Sequence, residues 1–404
     1  MITRITLILL FSLLLPVSEA LADHEGRPVP LPDELGEWSV GHRSSVLIDA
    51  DRADRPLPLR VWYPVEPGEE GSTPAFYALL LGLGITSDVA TESPPVSDRR
   101  KRPLIVFSHG SGGFNIQSIR LCETLASHGF IVAAPNHTGN TVEDFQNGTN
   151  DPFEQSAHDR PLDVSFVIGH MIKRSRTAGD PFEGRVRGHR VGVAGHSFGG
   201  YTALAMASGW QDVPPDPRVT AIMPIAPASG ILSDAELQSI QSPTMLLSGT
   251  FDTTTPVDPE TIRPHQLIDS PSVYRADIVG AEHFHFANIC DIASALIAAG
   301  IGPTIWPLVG ADALVEPYLL TCVPPAFPLD TAQRIQDLYA VSFFRRHLLG
   351  DDRYEHFLTE DYAAQHEPDV LFFGSFSRCG LGFELTFVLV PMLALRRARN
   401  QKAS

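Results

Sequence analysis

Positive charge is scarce in this 404-residue sequence. Lys and Arg total 30 against 47 Asp and Glu, which gives a formal net charge of −17. Such a surface repels phosphate backbones and anionic lipid headgroups, so we expect no nucleic-acid partner. Hydrophobic residues make up 43% and charged residues 19%, an ordinary globular composition that excludes general disorder.

The apolar run near the N-terminus, residues 5–17, falls short of the roughly 20 residues that a membrane-spanning helix needs. Arg4 precedes the run, and Ala20-Leu21-Ala22 follows it as a small-x-small cleavage pattern. These features predict a signal peptide over residues 1–22, cleaved after Ala22, with an uncleaved anchor helix as the alternative. The mature protein is then periplasmic, attached to the cell surface or secreted.

A second apolar run lies at the other end, over residues 381–395, and the basic cluster 396–399 follows it. An apolar stretch stopped by a basic cluster is typical of a membrane stop or a sorting tail. We therefore expect residues 376–404 to attach the protein to a membrane or cell surface. A short amphipathic helix docked on the domain is the alternative, since Glu384 and Pro391 weaken a membrane helix.

Cysteine is rare, with four residues in the whole chain. Export implies an oxidising compartment in which cysteines pair, and four cysteines allow three pairings that sequence alone does not distinguish. Cys122 falls in a predicted buried helix and Cys379 in the tail. Cys290 with Cys322 is therefore the preferred disulfide.

Between the two ends, short apolar or β-branched runs alternate with helical patterns, without internal repeats or low-complexity blocks. This alternation predicts parallel βαβ units, and one doubly wound α/β domain over residues 23–375 accounts for it. The predicted strands are 57–64, 104–107, 130–135, 190–194, 221–225, 244–247 and 273–279, the last of the sheet. The predicted helices are 119–127, 162–172 and 332–347.

One G-x-S-x-G pattern is present, Gly195-His196-Ser197-Phe198-Gly199. A serine hydroxyl is a poor nucleophile unless a base takes its proton and donors stabilise the oxyanion. In this pattern the glycines flank a strained strand-to-helix turn that pushes the hydroxyl out above the sheet. An apolar strand leads in and a small-residue helix leads out, so Ser197 is the predicted nucleophile. A helix N-cap serine between packing glycines is the alternative.

An oxyanion hole on such a turn takes one backbone donor from the residue after the nucleophile, here Phe198. The other donor comes from the loop after the third strand, where the sequence has His109-Gly110-Ser111. The predicted second donor is the N–H of Ser111, while His109 is expected to brace the loop by hydrogen bonding. The alternative is a glycine-rich connector that binds no ligand.

The acid must follow the nucleophile in the chain and precede the histidine. Asp252 comes a few residues after the predicted strand 244–247, at the end of the sheet where catalysis concentrates in open α/β folds. We therefore predict that Asp252 orients the histidine, with Asp258 as the nearest rival. No spaced ligand loop is present, so we expect no metal site.

Position also selects the base among the fifteen histidines of the chain. His283 and His285 both follow the last predicted strand, and alternation places them on the same side of an extended segment. His283 falls earlier in the loop and follows the small Ala281, so we predict His283 as the base.

Segments 59–64, 107–110, 127–130, 195–200 and 281–286 together resemble platelet-activating-factor acetylhydrolases and dienelactone-hydrolase-like secreted esterases of the α/β-hydrolase superfamily. The resemblance spans roughly residues 40–350. It implies an α/β-hydrolase fold with Ser197 as nucleophile, His283 as base, and backbone donors at Ser111 and Phe198.

Two departures from these families leave the substrate open. Lipoprotein-associated acetylhydrolases carry the acid after the strand that follows the nucleophile helix, where this chain reads Ile225-Ala226-Pro227-Ala228-Ser229 without a carboxylate. The predicted acid lies one strand later, as in dienelactone hydrolases and cutinase-like polyesterases. True dienelactone hydrolases use a cysteine nucleophile, whereas this chain has Ser197.

These features predict an exported carboxylic ester hydrolase that forms an acyl-Ser197 intermediate and needs neither a metal nor an organic cofactor. The substrates that fit the resemblance best are short-acyl or lipid-like esters, that is, esters of small molecules or of lipids. A polyesterase, cutinase-like or lipase-like enzyme is the alternative in the same class. A non-catalytic surface-binding protein on the same fold is the alternative in a different class.

Residues 288–330 form an insertion beside His283 that is rich in apolar residues. It is either a cap that lines an acyl pocket or a packed flap held by the Cys290–Cys322 disulfide. Segments 77–83 and 145–153 are further candidates for the border of the site. The apolar residues singled out in the insertion are Ile297, Ile301, Trp306, Leu308 and Leu319.

Overall fold

The computed structural model of the chain describes residues 29–79 and 82–374. The predicted signal peptide with its cleavage site after Ala22, Cys379 and the predicted tail over 376–404 lie outside the described residues. Within the described ranges, no helix is both long enough and apolar enough to cross a membrane.

The strands of the described residues form one 11-stranded sheet with the spatial order β11-β10-β9-β8-β7-β5-β6-β2-β1-β4-β3. Strands β5 to β10 run parallel to their neighbours within this group, which confirms the predicted α/β class with a mostly parallel sheet. The strands are β1 (Ser39–Asp49), β2 (Arg55–Val65), β3 (Pro74–Ala78), β4 (Gly84–Glu92), β5 (Arg102–Ser108), β6 (Ile131–Pro135), β7 (Val186–His196), β8 (Val219–Ile225), β9 (Thr244–Gly249), β10 (Val273–Ile278) and β11 (Val370–Phe373).

The seven predicted strands correspond to β2 and β5 to β10. The prediction that β10 is the last strand was wrong, because β11 pairs with it in antiparallel orientation. Strands β1, β3, β4 and β11 lie outside the parallel centre. Polar or exposed residues interrupt the apolar pattern in β1, β3 and β4, and β11 has only four residues, two of them partly exposed. Such strands form only because a neighbour supplies the hydrogen bonds and one apolar face.

The helices of the described residues are α1 (Ile119–Ser127), α2 (Val142–Asn147), α3 (Phe153–Arg176), α4 (Phe198–Ser208), α5 (Asp234–Ser239), α6 (Val257–Glu260), α7 (Ile262–Leu267), α8 (Ile289–Ala298), α9 (Val315–Thr321), α10 (Leu329–Phe344) and α11 (Glu360–His366). Helix α1 has the predicted bounds. Helix α3 begins nine residues before the predicted start and contains Pro161. Helix α10 ends at Phe344, where a π-helical turn, Arg345–Leu349, replaces the predicted last residues.

The core lies on both faces of the sheet, as strand β5 illustrates. All seven residues of β5 are buried, and successive side chains point to opposite faces. Ile105 and Phe107 belong to the core that includes residues of α1 and α10, whereas Leu104 and Val106 belong to the core that includes residues of α3 and α4. Helices on both faces are the condition under which a parallel sheet is stable.

Because β5, β7, β9 and β10 run in the same direction, their carboxyl ends meet at one edge of the sheet. The loop that contains Ser111 follows β5, Ser197 follows β7, Asp252 follows β9 and His283 follows β10. The sheet topology therefore brings together four segments that are far apart in sequence. This edge is the usual location of ligand sites in open α/β sheets.

The insertion over residues 288–330 folds around a small core of its own. Ala293, Leu296 and Trp306 are buried there, in contact with partly buried apolar residues of the same segment and with Leu83. The Cys290–Cys322 disulfide is present, with a Cα–Cα distance of 5.6 Å, which confirms the predicted pairing. The insertion is thus a packed unit, although Leu308 remains 84% exposed on it.

Candidate active site

The Ser197 turn has the geometry of a nucleophile elbow. Strand β7 ends at His196, helix α4 begins at Phe198, and Ser197 between them has φ 59° and ψ −117°. A non-glycine residue with positive φ costs about 1–3 kcal/mol and persists only where its surroundings enforce it. A Cβ on Gly195 would lie 2.2 Å from the carbonyl oxygen of Gly199, so glycine is needed at this position. The turn projects Ser197 from the carboxyl edge of the sheet.

The loops after β9 and β10 bring a carboxylate and an imidazole into direct contact. The Nδ1–H of His283 donates to Oδ2 of Asp252 at 2.7 Å, and both side chains are buried. His285 is occupied elsewhere, since its Nε2–H donates to the carbonyl of Phe327 at 3.0 Å and its Nδ1 accepts from the amide of Glu282 at 2.9 Å. Asp258 lies in α6 and forms no hydrogen bond with either histidine within the described residues.

Asp252 is held by the residues that follow it. Its Oδ1 accepts the amides of Thr254 and Thr255 at 2.8 and 2.7 Å, and its Oδ2 accepts the Thr255 hydroxyl at 2.9 Å. Burial raises the pKa of Asp252, but the interactions with His283 and Thr255 outweigh it and lower the pKa overall. The carboxylate is therefore ionised at neutral pH and can orient His283 and stabilise its protonated form.

Sequence reasoning missed Thr255. Its hydroxyl lies 3.0 Å from the carbonyl oxygen of Ala226 and 3.1 Å from Nδ1 of His283. The loop after β8, which lacks the carboxylate of the acetylhydrolase pattern, thus supports the acid through a backbone carbonyl. The sequence does place a threonine three residues after Asp252. Its role becomes visible only in the folded structure, where the loops after β8, β9 and β10 lie side by side.

The side chain of His196 connects the end of strand β7 with the loop that carries His283. The Nε2–H of His196 donates to the carbonyl of His283 at 2.9 Å, and the two rings lie 4.5 Å apart. Burial, followed by the proximity of His283, lowers the pKa of His196 to about 3, so His196 is neutral and serves as a connector. Among the described residues the Ser197 hydroxyl forms no hydrogen bond, and such contacts are often loose until substrate binds.

The loop after β5 lies against Ser197. A Cβ on Gly110 would lie 3.3 Å from Cβ of Ser197, so glycine permits this approach. Within residues 29–79 and 82–374, the amides of Ser111 and Phe198 have no hydrogen-bond acceptor. His109 hydrogen-bonds its own loop, donating from Nδ1 to the Gly110 carbonyl at 2.7 Å and accepting from the amide of His137 at 3.0 Å.

A second hydrogen-bonded Ser-His-Asp set lies behind this loop. The hydroxyl of Ser108 donates to Nε2 of His137 at 2.9 Å, and Nδ1–H of His137 donates to Asp163 at 3.0 Å. All three residues are fully buried, and Arg55 forms an ion pair with Asp163. Because substrate cannot reach them, these residues support the loop rather than act as a nucleophilic site. Sequence reasoning missed this set, although His137 lies two residues after the end of β6.

A cavity of about 250 Å³ opens beside His283. One wall comes from the loops that carry Asp252 and His283, and the other from Ala313, Glu316, Pro317 and Leu320 of the insertion. The insertion therefore packs on itself and also lines a cavity that reaches His283, whereas Ser197, Ser111 and Phe198 are not among the residues that line this cavity. That the insertion caps an acyl pocket stays a prediction. The cavity is lined by none of the apolar residues singled out in the sequence, and Trp306 instead fills the core of the insertion.

The two other segments considered as borders of the site, 145–153 and 77–83, lie in different surroundings. Phe145 lies near the oxyanion loop, 3.5 Å from the position of a Cβ on Gly112, and Gln146 donates to the carbonyl of Gly310 at 2.8 Å. Segment 145–153 thus connects the site with the insertion. Tyr77 is instead fully buried and donates to Glu123 at 2.6 Å, away from the cavity.

Comparison with known proteins gives two families. The family model described as platelet-activating factor acetylhydrolase, isoform II, matches residues 75–144, which include the oxyanion loop. The model described as PET hydrolase-like matches residues 113–299, which include Ser197, Asp252 and His283.

Curated relatives agree with these two families. Platelet-activating factor acetylhydrolase of Cavia porcellus is 35% identical over 26% of this chain and 28% of its own length. Cutinase 1 of Thermobifida cellulosilytica is 27% identical over 45% of this chain and 60% of its own length. Each alignment covers less than two thirds of the relative. The sheet order, the elbow at Ser197 and these matches together show an α/β-hydrolase fold and a resemblance to the platelet-activating factor acetylhydrolases and the PET hydrolase-like family.

Proposed function

We propose that this protein is a serine ester hydrolase in which Ser197 is the nucleophile, His283 the base and Asp252 the acid. The observation that carries the proposal is the buried 2.7 Å hydrogen bond between Asp252 and His283 at the same sheet edge as the Ser197 elbow. An ionised carboxylate on Nδ1–H leaves Nε2 of His283 unprotonated, as a base requires.

The reaction proceeds in two halves. The Ser197 oxygen attacks the ester carbonyl carbon while His283 takes the hydroxyl proton, and the amides of Ser111 and Phe198 stabilise the oxyanion. His283 then passes the proton to the departing alcohol, which leaves an acyl-Ser197 intermediate. Water, deprotonated by His283, attacks this intermediate and releases the carboxylic acid.

Short-acyl or lipid-like esters are the proposed substrates. The cavity beside His283 has a volume of about 250 Å³, below the roughly 300–1,000 Å³ of pockets for drug-sized ligands, and the insertion forms one of its walls. The alternative is a polyesterase, which the cutinase and PET hydrolase-like matches favour. Activity on p-nitrophenyl esters from acetate to palmitate, together with release of acid from a polyester film, separates the two. Highest turnover on acetate or butyrate without film hydrolysis supports the first.

An active-site probe tests the reaction class. A fluorophosphonate should label the wild type but not Ser197→Ala, and absence of wild-type labelling would favour the non-catalytic binding protein instead. His283→Ala should abolish turnover of p-nitrophenyl acetate, whereas His285→Ala should retain it with reduced thermal stability. The reverse pattern would reassign the base.

We also propose that the protein is exported, with a cleaved signal peptide. Secreted expression followed by intact-mass measurement tests this directly. A mature N-terminus at Asp23 supports the proposal, and an N-terminus at Met1 contradicts it. The same measurement reports whether the residues after 375 are retained.

A further inference from the structure

Helix α3 places one arginine behind the oxyanion loop. Arg160 is fully buried and donates to the carbonyl of His109 from Nη1 at 2.8 Å and from Nη2 at 2.6 Å. Its Nη2 also lies 3.1 Å from the carbonyl oxygen of Gly110. Within the described part of the chain, Arg160 forms no ion pair with a carboxylate, so backbone carbonyl dipoles provide its hydrogen bonds.

These contacts determine which way the loop peptides face. The carbonyl and N–H of a trans peptide point in opposite directions. The Gly110 carbonyl accepts from Nδ1 of its neighbour His109 at 2.7 Å, from Nη2 of Arg160 at 3.1 Å and from the Gly113 amide at 3.1 Å. The amide of Ser111 belongs to the same peptide and therefore points away from Arg160, free to donate to an oxyanion.

The preceding peptide is held at both of its polar atoms. Arg160 binds the carbonyl of His109, while Oε1 of Gln117 accepts the N–H of Gly110 at 2.8 Å. Gln117 in turn donates to Nδ1 of His196, next to Ser197. The orientation of the loop is thereby tied to the nucleophile strand.

Arg160 also contacts the segment that carries the other proposed donor. Its guanidinium carbon lies 4.7 Å from the centroid of the Phe198 ring, which also stacks on the Phe153 ring at 5.4 Å. One buried cation therefore contacts the Gly110–Ser111 peptide group through the Gly110 carbonyl and also the Phe198 ring. A guanidinium is a permanent positive charge, and its field is strong where water is excluded.

We infer that Arg160 is a positioning residue of the oxyanion hole, orienting the Ser111 amide and supplying positive charge behind both donors. Hydrogen bonds to the Gly110 carbonyl polarise its peptide and strengthen the Ser111 N–H as a donor. The charge becomes more favourable as the substrate carbonyl oxygen gains negative charge, so the benefit is largest in the transition state. This inference rests on the proposed esterase function.

The test compares Arg160→Met and Arg160→Lys with a matched control, Arg345→Met. Arg345 is likewise buried, donates to the carbonyl of His128 at 3.1 Å and lies 4.8 Å from the Tyr354 ring, but touches none of the proposed site residues. Unlike Arg160, it also forms an ion pair with Asp351 at 2.7 Å, so its removal is at least as disruptive to folding. Each variant is titrated to completion with a fluorophosphonate, so that rates refer to intact sites. The readouts are kcat and KM for p-nitrophenyl acetate and the Ki of a trifluoromethyl ketone, which forms an oxyanion on the serine.

Removing one oxyanion donor lowers kcat about 10²–10³-fold. Arg160→Met leaves the Ser111 amide in place but removes the residue that supports it, so kcat should fall about 10- to 100-fold. KM should change little, the Ki of the ketone should rise in proportion to the fall in kcat/KM, and Arg160→Lys should be intermediate. Arg345→Met should retain kcat per titrated site. These results together support the inference.

Wild-type kcat in Arg160→Met, an unchanged Ki of the ketone, or an equal loss of kcat in Arg345→Met would overturn it. If Arg160→Met does not fold, Arg160→Lys decides alone, and wild-type kcat and Ki in that variant also overturn the inference. A wild type that neither hydrolyses the ester nor reacts with the probe would instead reject the proposed function, and the inference with it.

Discussion

Replacing Asp252 by asparagine tests how the acid controls the state of His283. Oδ1 of Asp252 accepts two backbone amides, so the asparagine carbonyl oxygen must occupy that position. Its NH₂ group then faces Nδ1 of His283, which has to accept rather than donate. His283 is forced into the tautomer protonated at Nε2, which cannot take the Ser197 proton.

The expected loss is large and falls on kcat. A triad aspartate replaced by asparagine in this manner lowers kcat about 10⁴-fold, which corresponds to about 5 kcal/mol of transition-state stabilisation. Steady-state turnover of p-nitrophenyl acetate measures it, with thermal unfolding as a check that the variant is folded. Asp258→Asn is the control, since Asp258 has a similar position in sequence but no hydrogen bond to a histidine within the described residues. Retention of more than a tenth of kcat in Asp252→Asn, or a comparable loss in Asp258→Asn, would refute the assignment.

Three further outcomes are expected. Thr255→Val removes a hydroxyl from the carboxylate and should lower kcat roughly tenfold at constant KM, in keeping with one charge-assisted hydrogen bond; an unchanged kcat would show that the backbone amides suffice. The double variant Cys290→Ala/Cys322→Ala should destabilise the insertion by about 2–4 kcal/mol, detected as faster limited proteolysis within 288–330; a reductant should accelerate cleavage of the wild type but not of the variant, and equal cleavage of variant and oxidised wild type would contradict the prediction. Burial raises the pKa of Glu123 to about 7, so folding stability falls as pH rises from the unfolded value of about 4.3 towards 7. Glu123→Gln removes this loss, and its melting temperature relative to wild type should increase between pH 5 and pH 8; a constant difference would contradict the buried charge.

The sequence predicted the parallel centre of the sheet because those strands are buried on both faces and therefore read as continuous apolar runs. Strand β5 is the clearest example, with every residue buried. The first turns of α3 could not be predicted, because Pro161 lies inside the helix and normally argues for a boundary near that point. Packing against the sheet stabilises the helix on both sides of that proline.

The candidate site divides in the same way. Ser197 stood out as a candidate because the flanking glycines are needed for a tight strand-to-helix turn. The disulfide could be predicted because the other two cysteines fall in a buried helix and in the tail. Thr255, Gln117 and Arg160 escaped notice, because a threonine, a glutamine and an arginine have many ordinary roles. Their importance depends on which carbonyl or imidazole lies within 3 Å, and that is a property of the assembled loops.

By itself, the sequence determined the class of fold, the elbow at Ser197 and the order in which an acid and a histidine must follow it. Those features depend on the pattern of apolar residues along short segments and on the steric freedom of glycine. Both can be read from residues that are close together in the sequence. Only the tertiary structure decided that Asp252 pairs with His283 across 31 positions of sequence, and that His285 instead binds the carbonyl of Phe327. Hydrogen bonds act over about 3 Å, and the distance between remote segments is set by the packing of the whole sheet.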